Sequence, residues 1–367
     1  MGRAIASLTG WVTFFRPGLG GLTLALGLWA AAAPAARAME SRNVVLVTLD
    51  GVRRADFYDR ALFPWFWRHA GARGAVGNIR LSNPHGVSLP AYQAILAGRA
   101  QPCRDNHCGR VRAETLLERV RAEVGGRRED AALIASWEPM AMAAARREGR
   151  VYVSAGNQPV VGGESDPYLQ TLAAQARDQR TPWWGGRWDV FTFEYGKRFL
   201  SLYQPRFLML SFLDSDQWAH RRHAANYRAI LRRYDGWLRE LFERLRGLGR
   251  YGRETTVLIT TDHGRGEGAS FARHGHGLPA SQTAWLWALG PCTEPATTLP
   301  ADRDSHADLR PTIEYLLGLR PRACADCGSP IPEVSSCTQG TYARRAHADS
   351  DPMVLGPDAT VQLSSVR

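Results

Sequence analysis

Three apolar runs that each stop at an aspartate constrain this chain more than any other feature. Asn43–Leu49 is followed by Asp50, Phe207–Leu213 by Asp214 and Asp216, and Thr255–Thr261 by Asp262. None of the three alternates polar with apolar residues, so each reads as a strand covered on both faces, the type found in parallel sheets with helices above and below. Open sheets of that kind place their ligands at the carboxyl ends of the strands. The aspartates are therefore expected to converge on one crevice. Histidines accompany them: His220 lies four residues after Asp216, and His263 directly follows Asp262. Carboxylates and imidazoles gathered at one sheet edge suggest a metal site.

The remaining elements fit the same architecture. A helix is predicted to start at Ser88-Leu-Pro90, with proline in its first turn and Gly98 just past its end. Ala131–Ala135 and Ala284–Leu289 read as further strands, and Asp308–Leu317 as a helix with Pro311 in its first turn. Tyr227, Ile230, Leu231, Tyr234, Leu238, Leu241, Phe242 and Leu245 form one apolar stripe at helical spacing, expected as core packing. Alternating strands and helices predict one α/β domain: a three-layer, doubly wound, mostly parallel sheet with helices on both faces. The domain is expected over residues 39–342. Residues 138–188, with Trp183-Trp184-Gly185-Gly186-Arg187-Trp188, read as a possible insertion or lid.

The first 38 residues read as an export signal. Arg3 and Arg16 precede the apolar stretch Leu19 to Ala33, and Ala36-Arg37-Ala38 offers a small-x-small cleavage pattern. The expected location is periplasmic or secreted, with no membrane span in the mature chain. Residues 343–367 are polar and aperiodic, and are expected to be loosely ordered. All six cysteines (Cys103, Cys108, Cys292, Cys324, Cys327 and Cys337) fall in the mature region, and an even count in an exported chain reads as disulfides. Cys103 and Cys108 could close a small loop; the pairing of the others is open. The formal charge of +11 comes almost wholly from arginine, since Lys197 is the sole lysine. The arginines are scattered without aromatic interleaving, which argues against a nucleic-acid interface and leaves a field that modestly favours small anionic substrates. Oligomeric state is not encoded in any of these features.

Taken in order, Thr48-Leu49-Asp50-Gly51-Val52-Arg53, Val87-Ser88-Leu89-Pro90, Asp216-x-x-x-His220, Thr261-Asp262-His263-Gly264 and His274-Gly275 resemble the motifs of the alkaline phosphatase superfamily. The likeness runs from about Asn43 to Gly328. It implies one metal on Asp216, His220 and His274, and a second on Asp50, Asp262, His263 and the oxygen of Ser88. Mixed carboxylates and imidazoles suit zinc, with manganese as the next candidate. Asp214 rivals Asp216, and His276 rivals His274; His274 is preferred because its His-Gly-x-x-x-Pro spacing to Pro279 is similar to that of the superfamily. Ser88 is the expected nucleophile, although a serine before a helix is most often only an N-cap. Asn106 is a candidate oxyanion or substrate contact by loose similarity, or a turn residue beside Cys103 and Cys108.

Branches of the superfamily differ at the serine. Arylsulfatases that convert Cys or Ser to formylglycine carry (Cys/Ser)-x-Pro-x-Arg, whereas Ser88-Leu89-Pro90-Ala91-Tyr92 has tyrosine at the arginine position. The expected activity is hydrolysis of phosphoric mono- or diesters with a serine nucleophile and two divalent ions. The alternatives are a sulfate-ester hydrolase with unmodified serine and a catalytically silent binding module of the same fold.

Overall fold

A computed structural model describes residues 41–124, 126–161 and 164–337. The expected export signal and the 343–367 tail lie outside the described residues. Among the described residues eight strands form one sheet: β1 (Asn43–Leu49), β2 (Ala75–Arg80), β3 (Ala131–Ala135), β4 (Tyr152–Ala155), β5 (Phe207–Phe212), β6 (Thr255–Thr260), β7 (Thr283–Leu289) and β8 (Thr297–Thr298). Their order is β4-β3-β5-β1-β6-β7-β2-β8.

The three aspartate-ended runs become β5, β1 and β6, neighbours at the middle of the sheet. They are parallel and in register, with Thr48 opposite both Ser211 and Thr260. Their carboxyl ends therefore emerge together. Every residue of β1 is buried, and its side chains divide by parity as a strand must. Val45, Val47 and Leu49 enter one core with Leu208, Leu210, Phe212, Val257 and Ile259. Val44 and Leu46 enter a second core with Phe207, Met209 and Leu258. Each such aliphatic side chain contributes on the order of 1.5–3 kcal/mol on full burial. Helices cover both faces, as the continuous apolar runs require. The long helix Ala224–Gly247 turns Tyr227, Leu231, Tyr234, Leu238, Leu241, Phe242 and Leu245 into the first core. Ile230 packs against the rim of that core. Helix Ser88–Ala97, buried along its whole length, lies on the opposite face with Leu309 and Ile313.

Departures from the sequence reading are local. β7 runs antiparallel to both β6 and β2, so the sheet is mixed at that side. The 138–188 stretch supplies the edge strand β4, which pairs in parallel with β3, and the helices Met140–Ala144 and Pro167–Asp178. β2 carries no strand signal in the sequence, because Gly77 and Asn78 interrupt its apolar pattern; Gly77 is needed where a Cβ would lie 2.5 Å from Leu299. Among the described residues no helix is long and apolar enough to cross a membrane.

Candidate metal centre

The turn after β1 organises the crevice. Asp50 is 1% exposed, and Gly51 follows it with φ of +60°, a backbone conformation that favours glycine. A Cβ there would sit 2.5 Å from the Arg265 guanidinium and 2.7 Å from the Asp216 carboxylate. Asp-Gly is thus more than a solvated turn at this position. The Gly51 N–H donates to Asp262 Oδ1 (3.0 Å) and its carbonyl accepts from Arg265 Nε (2.8 Å), so one residue joins β1 to the loop after β6.

An inner cluster consists of Asp50, Asp262 and His263, all buried, with ligand atoms within 4.8 Å of one another. In each carboxylate the protein occupies one oxygen and leaves the other free. Tyr92 Oη donates to Asp50 Oδ2 (3.1 Å), while Asp262 Oδ1 accepts from Gly51 and His263 N–H groups (3.0 and 2.9 Å). Asp50 Oδ1 and Asp262 Oδ2 find no hydrogen-bond donor among the described residues. Both approach His263 Nε2, at 3.6 and 3.3 Å. The ring's Nδ1 faces the Gly264 carbonyl at 2.9 Å; donating its proton there leaves the Nε2 lone pair turned toward the two free oxygens. Ser88 Oγ completes the cluster, 3.1 Å from His263 Nε2.

Buried carboxylates without a counter-charge resist ionisation. Burial pushes Asp262 up to about 7. Burial, and then the charges of Asp262 and Asp216, raise Asp50 well above its ordinary value. Burial also holds His263 well below the usual imidazole range. A neutral imidazole, two costly carboxylates and two orphaned oxygens aimed at one point form a donor set that a divalent cation would satisfy.

An outer cluster adjoins it. Asp216 and His220 occupy one turn of helix Asp214–His220, and His274 comes from the loop before β7. His220 Nε2 lies 3.0 Å from Asp216 Oδ2 and 2.9 Å from His274 Nε2. His274 Nδ1 sits 2.8 Å from the Gly86 carbonyl, an arrangement that again leaves Nε2 as the lone-pair nitrogen. Two imidazole nitrogens this close need a proton or a cation between them, so this set also fits a metal ion. The rings of His263 and His274 stack with centroids 3.8 Å apart, which places the two clusters side by side. Burial alone would raise Asp216, yet the Arg265 guanidinium and the His220 ring hold it well below the usual carboxylate range.

No family model and no curated relative matches the sequence. Solved structures do match. A 2-O GAG sulfatase is 14% identical, with 82% of this chain and 76% of that one covered and a TM-score of 0.54. The lipoteichoic acid synthase LtaP from Listeria monocytogenes is 13% identical over 81% and 77%, with a TM-score of 0.53. The phosphonate monoester hydrolase of Agrobacterium radiobacter is 16% identical over 82% and 78%, with a TM-score of 0.51. This chain has the alkaline phosphatase-like α/β fold of these structures.

Within that fold, each remaining site residue has a definite place. Ser88 is the first residue of its helix, and Val87 is the N-cap, so the hydroxyl is turned to His263 instead of capping. Asn106 caps the first turn: its Oδ1 accepts the Leu89 N–H at 3.0 Å, one residue beyond Ser88. Asn106 sits in the loop closed by the Cys103–Cys108 disulfide, and Cys292–Cys337 and Cys324–Cys327 form the other pairs. Asp214 belongs to neither cluster. Its Oδ2 accepts the Asp189 N–H at 3.2 Å, and burial, then the Asp189 charge, raise it well above its ordinary value. His276 is exposed, with Nδ1 3.2 Å from the Pro84 carbonyl. His223, exposed, precedes the long helix as its N-cap residue. Lys197 pairs with Glu194 and Glu240, each at 2.8 Å.

Sequence reasoning missed two residues. Arg265, completely buried, reaches from the loop after β6 to Asp216. The only trace of it was a basic residue two positions after a buried Asp-His pair. In sequence Tyr92 marks only the absence of an arginine, whereas in the structure its phenol holds Asp50 in place.

Proposed function

We propose that this chain is a metal-dependent hydrolase of phosphoric esters, a phosphomonoesterase or phosphodiesterase, with Ser88 as nucleophile. The observation that carries the reading is the convergence of Ser88 Oγ with the orphaned oxygens of Asp50 and Asp262 on His263 Nε2. In this reading Asp50, Asp262, His263 and Ser88 hold one divalent ion, and Asp216, His220 and His274 hold the other. Zinc is the first candidate and manganese the second. Bound there, the ions supply positive charge that favours a serine alkoxide and stabilises developing charge on the transferring group and leaving oxygen.

The chain's own residues do the rest. Ser88 stands at the positive end of a buried ten-residue helix, which favours an anion at Oγ. Its oxygen forms the bond to phosphorus as the ester oxygen leaves from the opposite side. Water then cleaves the phosphoserine and restores the hydroxyl, so configuration at phosphorus is retained overall. In this reading the NH2 group of Asn106, whose Oδ1 is held by the Leu89 N–H, donates to a non-bridging oxygen. Tyr92 favours direct serine chemistry over formylglycine, because the position that arylsulfatases fill with arginine is occupied by a buried phenol bonded to Asp50. Three cysteine pairs support an oxidising location, periplasmic or secreted.

The test compares an aryl monophosphate, a phosphodiester and an aryl sulfate with the wild type and Ser88→Ala. The expected result is turnover of a phosphoric ester, lowered roughly a thousandfold or more in the variant, with bound metal retained. Undiminished activity in Ser88→Ala would reject the nucleophile. Preference for the sulfate would move the reading to an unmodified-serine sulfatase, and no turnover by metal-loaded protein to a binding module.

A further inference from the structure

The two clusters differ in charge, and Arg265 is the reason. The inner cluster offers two carboxylates, Asp50 and Asp262, that carry no ion pair with arginine or lysine among the described residues, enough negative charge to neutralise a divalent cation. The outer cluster offers one, Asp216, whose Oδ1 is already ion-paired with Arg265. With two neutral imidazoles, that set has no net charge to give. Arg265 cannot swing aside, because three ligand-bearing segments hold it. Nε donates to the Gly51 carbonyl beside Asp50 (2.8 Å), Nη1 donates to the Phe271 carbonyl on the loop leading to His274 (3.0 Å), and Nη2 meets Asp216. The guanidinium is therefore a fixed positive charge touching a ligand of the outer ion. Access differs as well. Asp50, Asp262 and His263 side chains are at most 2% exposed, whereas that of His220 is 39% exposed.

We propose that Arg265 makes the two subsites unequal. The Asp50, Asp262 and His263 subsite fills first and retains its ion, and the Asp216, His220 and His274 subsite exchanges with solvent. Occupancy of the outer subsite, and with it turnover, then follows the free divalent-cation concentration. This inference rests on the two-ion reading above. Arg265 is a positioning residue in it: the side chain sets the charge and orientation of Asp216 without touching substrate.

The test is a count of bound ions per chain across buffered free Mn2+, a hard cation for which ligand charge outweighs softness, using the full chain stripped with chelator. The wild type is expected to bind one ion and then a second at roughly tenfold or higher free Mn2+. His220→Ala should lose only the weaker class. Arg265→Met, which removes the charge and keeps bulk, should strengthen the weaker class roughly tenfold or more, and Arg265→Lys should preserve the separation. Two ions of indistinguishable affinity in the wild type would overturn the inference. So would loss of the tighter class in His220→Ala, or an unchanged separation in a folded Arg265→Met. If that variant does not fold, the wild type and His220→Ala decide the matter. Failure of the wild type to bind any ion would instead overturn the two-ion reading beneath it.

Discussion

Asp262→Asn should stabilise the metal-free protein while abolishing its capacity to hold the inner ion. Asp262 is completely buried, and one of its oxygens has no donor among the described residues. Burial raises its carboxyl from 3.8 to about 7. A carboxylate raised in the folded state contributes its full stability below the unfolded value, and that contribution is lost as pH rises through the folded value. Over roughly 3 pH units at about 1.4 kcal/mol each, the loss is about 4 kcal/mol between pH 4 and pH 8. Asparagine has no charge to bury. Its carbonyl can keep the bonds from the Gly51 and His263 N–H groups, and its NH2 group would face the His263 Nε2 lone pair, 3.3 Å from the present Oδ2. The variant should match the wild type near pH 4 and exceed it by about 4 kcal/mol at pH 8, which is roughly 6 °C in Tm for a domain of this size. Unfolding in the presence of chelator at pH 4, 5 and 8 measures the difference directly. Added divalent ion should reverse the order, because only the wild type gains the binding energy of the inner ion. A variant that is less stable than the wild type at pH 8 without metal, or a difference that does not grow with pH, would refute the electrostatic account of this centre.

Two further substitutions test the framework around the site. Tyr92→Phe removes the donor to Asp50 Oδ2 and frees that carboxylate to rotate. Metal affinity should fall roughly 10- to 100-fold with the fold intact, measured by ion titration beside far-ultraviolet circular dichroism. Asp235→Ala removes the carboxylate that accepts the Trp65 and Phe66 N–H groups (3.0 and 2.7 Å) at the start of helix Pro64–His69. It should cost about 1–2 kcal/mol in denaturant unfolding and leave metal binding unchanged.

What the sequence makes legible here is what strand burial dictates. β5, β1 and β6 are readable because a strand covered on both faces must be apolar at every position, and the parallel register then fixes where Asp50, Asp216 and Asp262 emerge. The direction of β7 is not readable in this way, since a buried strand has the same composition whichever way it runs. β4 is four residues long and includes Ser154, too short for a periodic signal. Helix Asp189–Tyr203 is not legible in this way either, although its Asp189 accepts the Leu213 and Asp214 N–H groups, both at 2.8 Å, and so shapes the start of the helix bearing Asp216.

The groups that tune the centre escape a linear reading for a different reason. Ligands stand at strand ends, where topology brings them together, but Tyr92 and Arg265 act through contacts set by the packing of separate layers. Tyr92 reaches Asp50 from a helix on one face of the sheet, in the core that holds Leu46 and Met209. Ser215, in the helix that carries Asp216, donates its hydroxyl to the Asp50 carbonyl (2.6 Å), and its own N–H donates to Tyr234 of the long helix on the other face. Asp50 is thus clamped from both layers at once. A substitution in either core that shifts its helix by a few tenths of an ångström would misplace the carboxylate without altering any motif, so the ligand pattern alone cannot report whether such a site is competent.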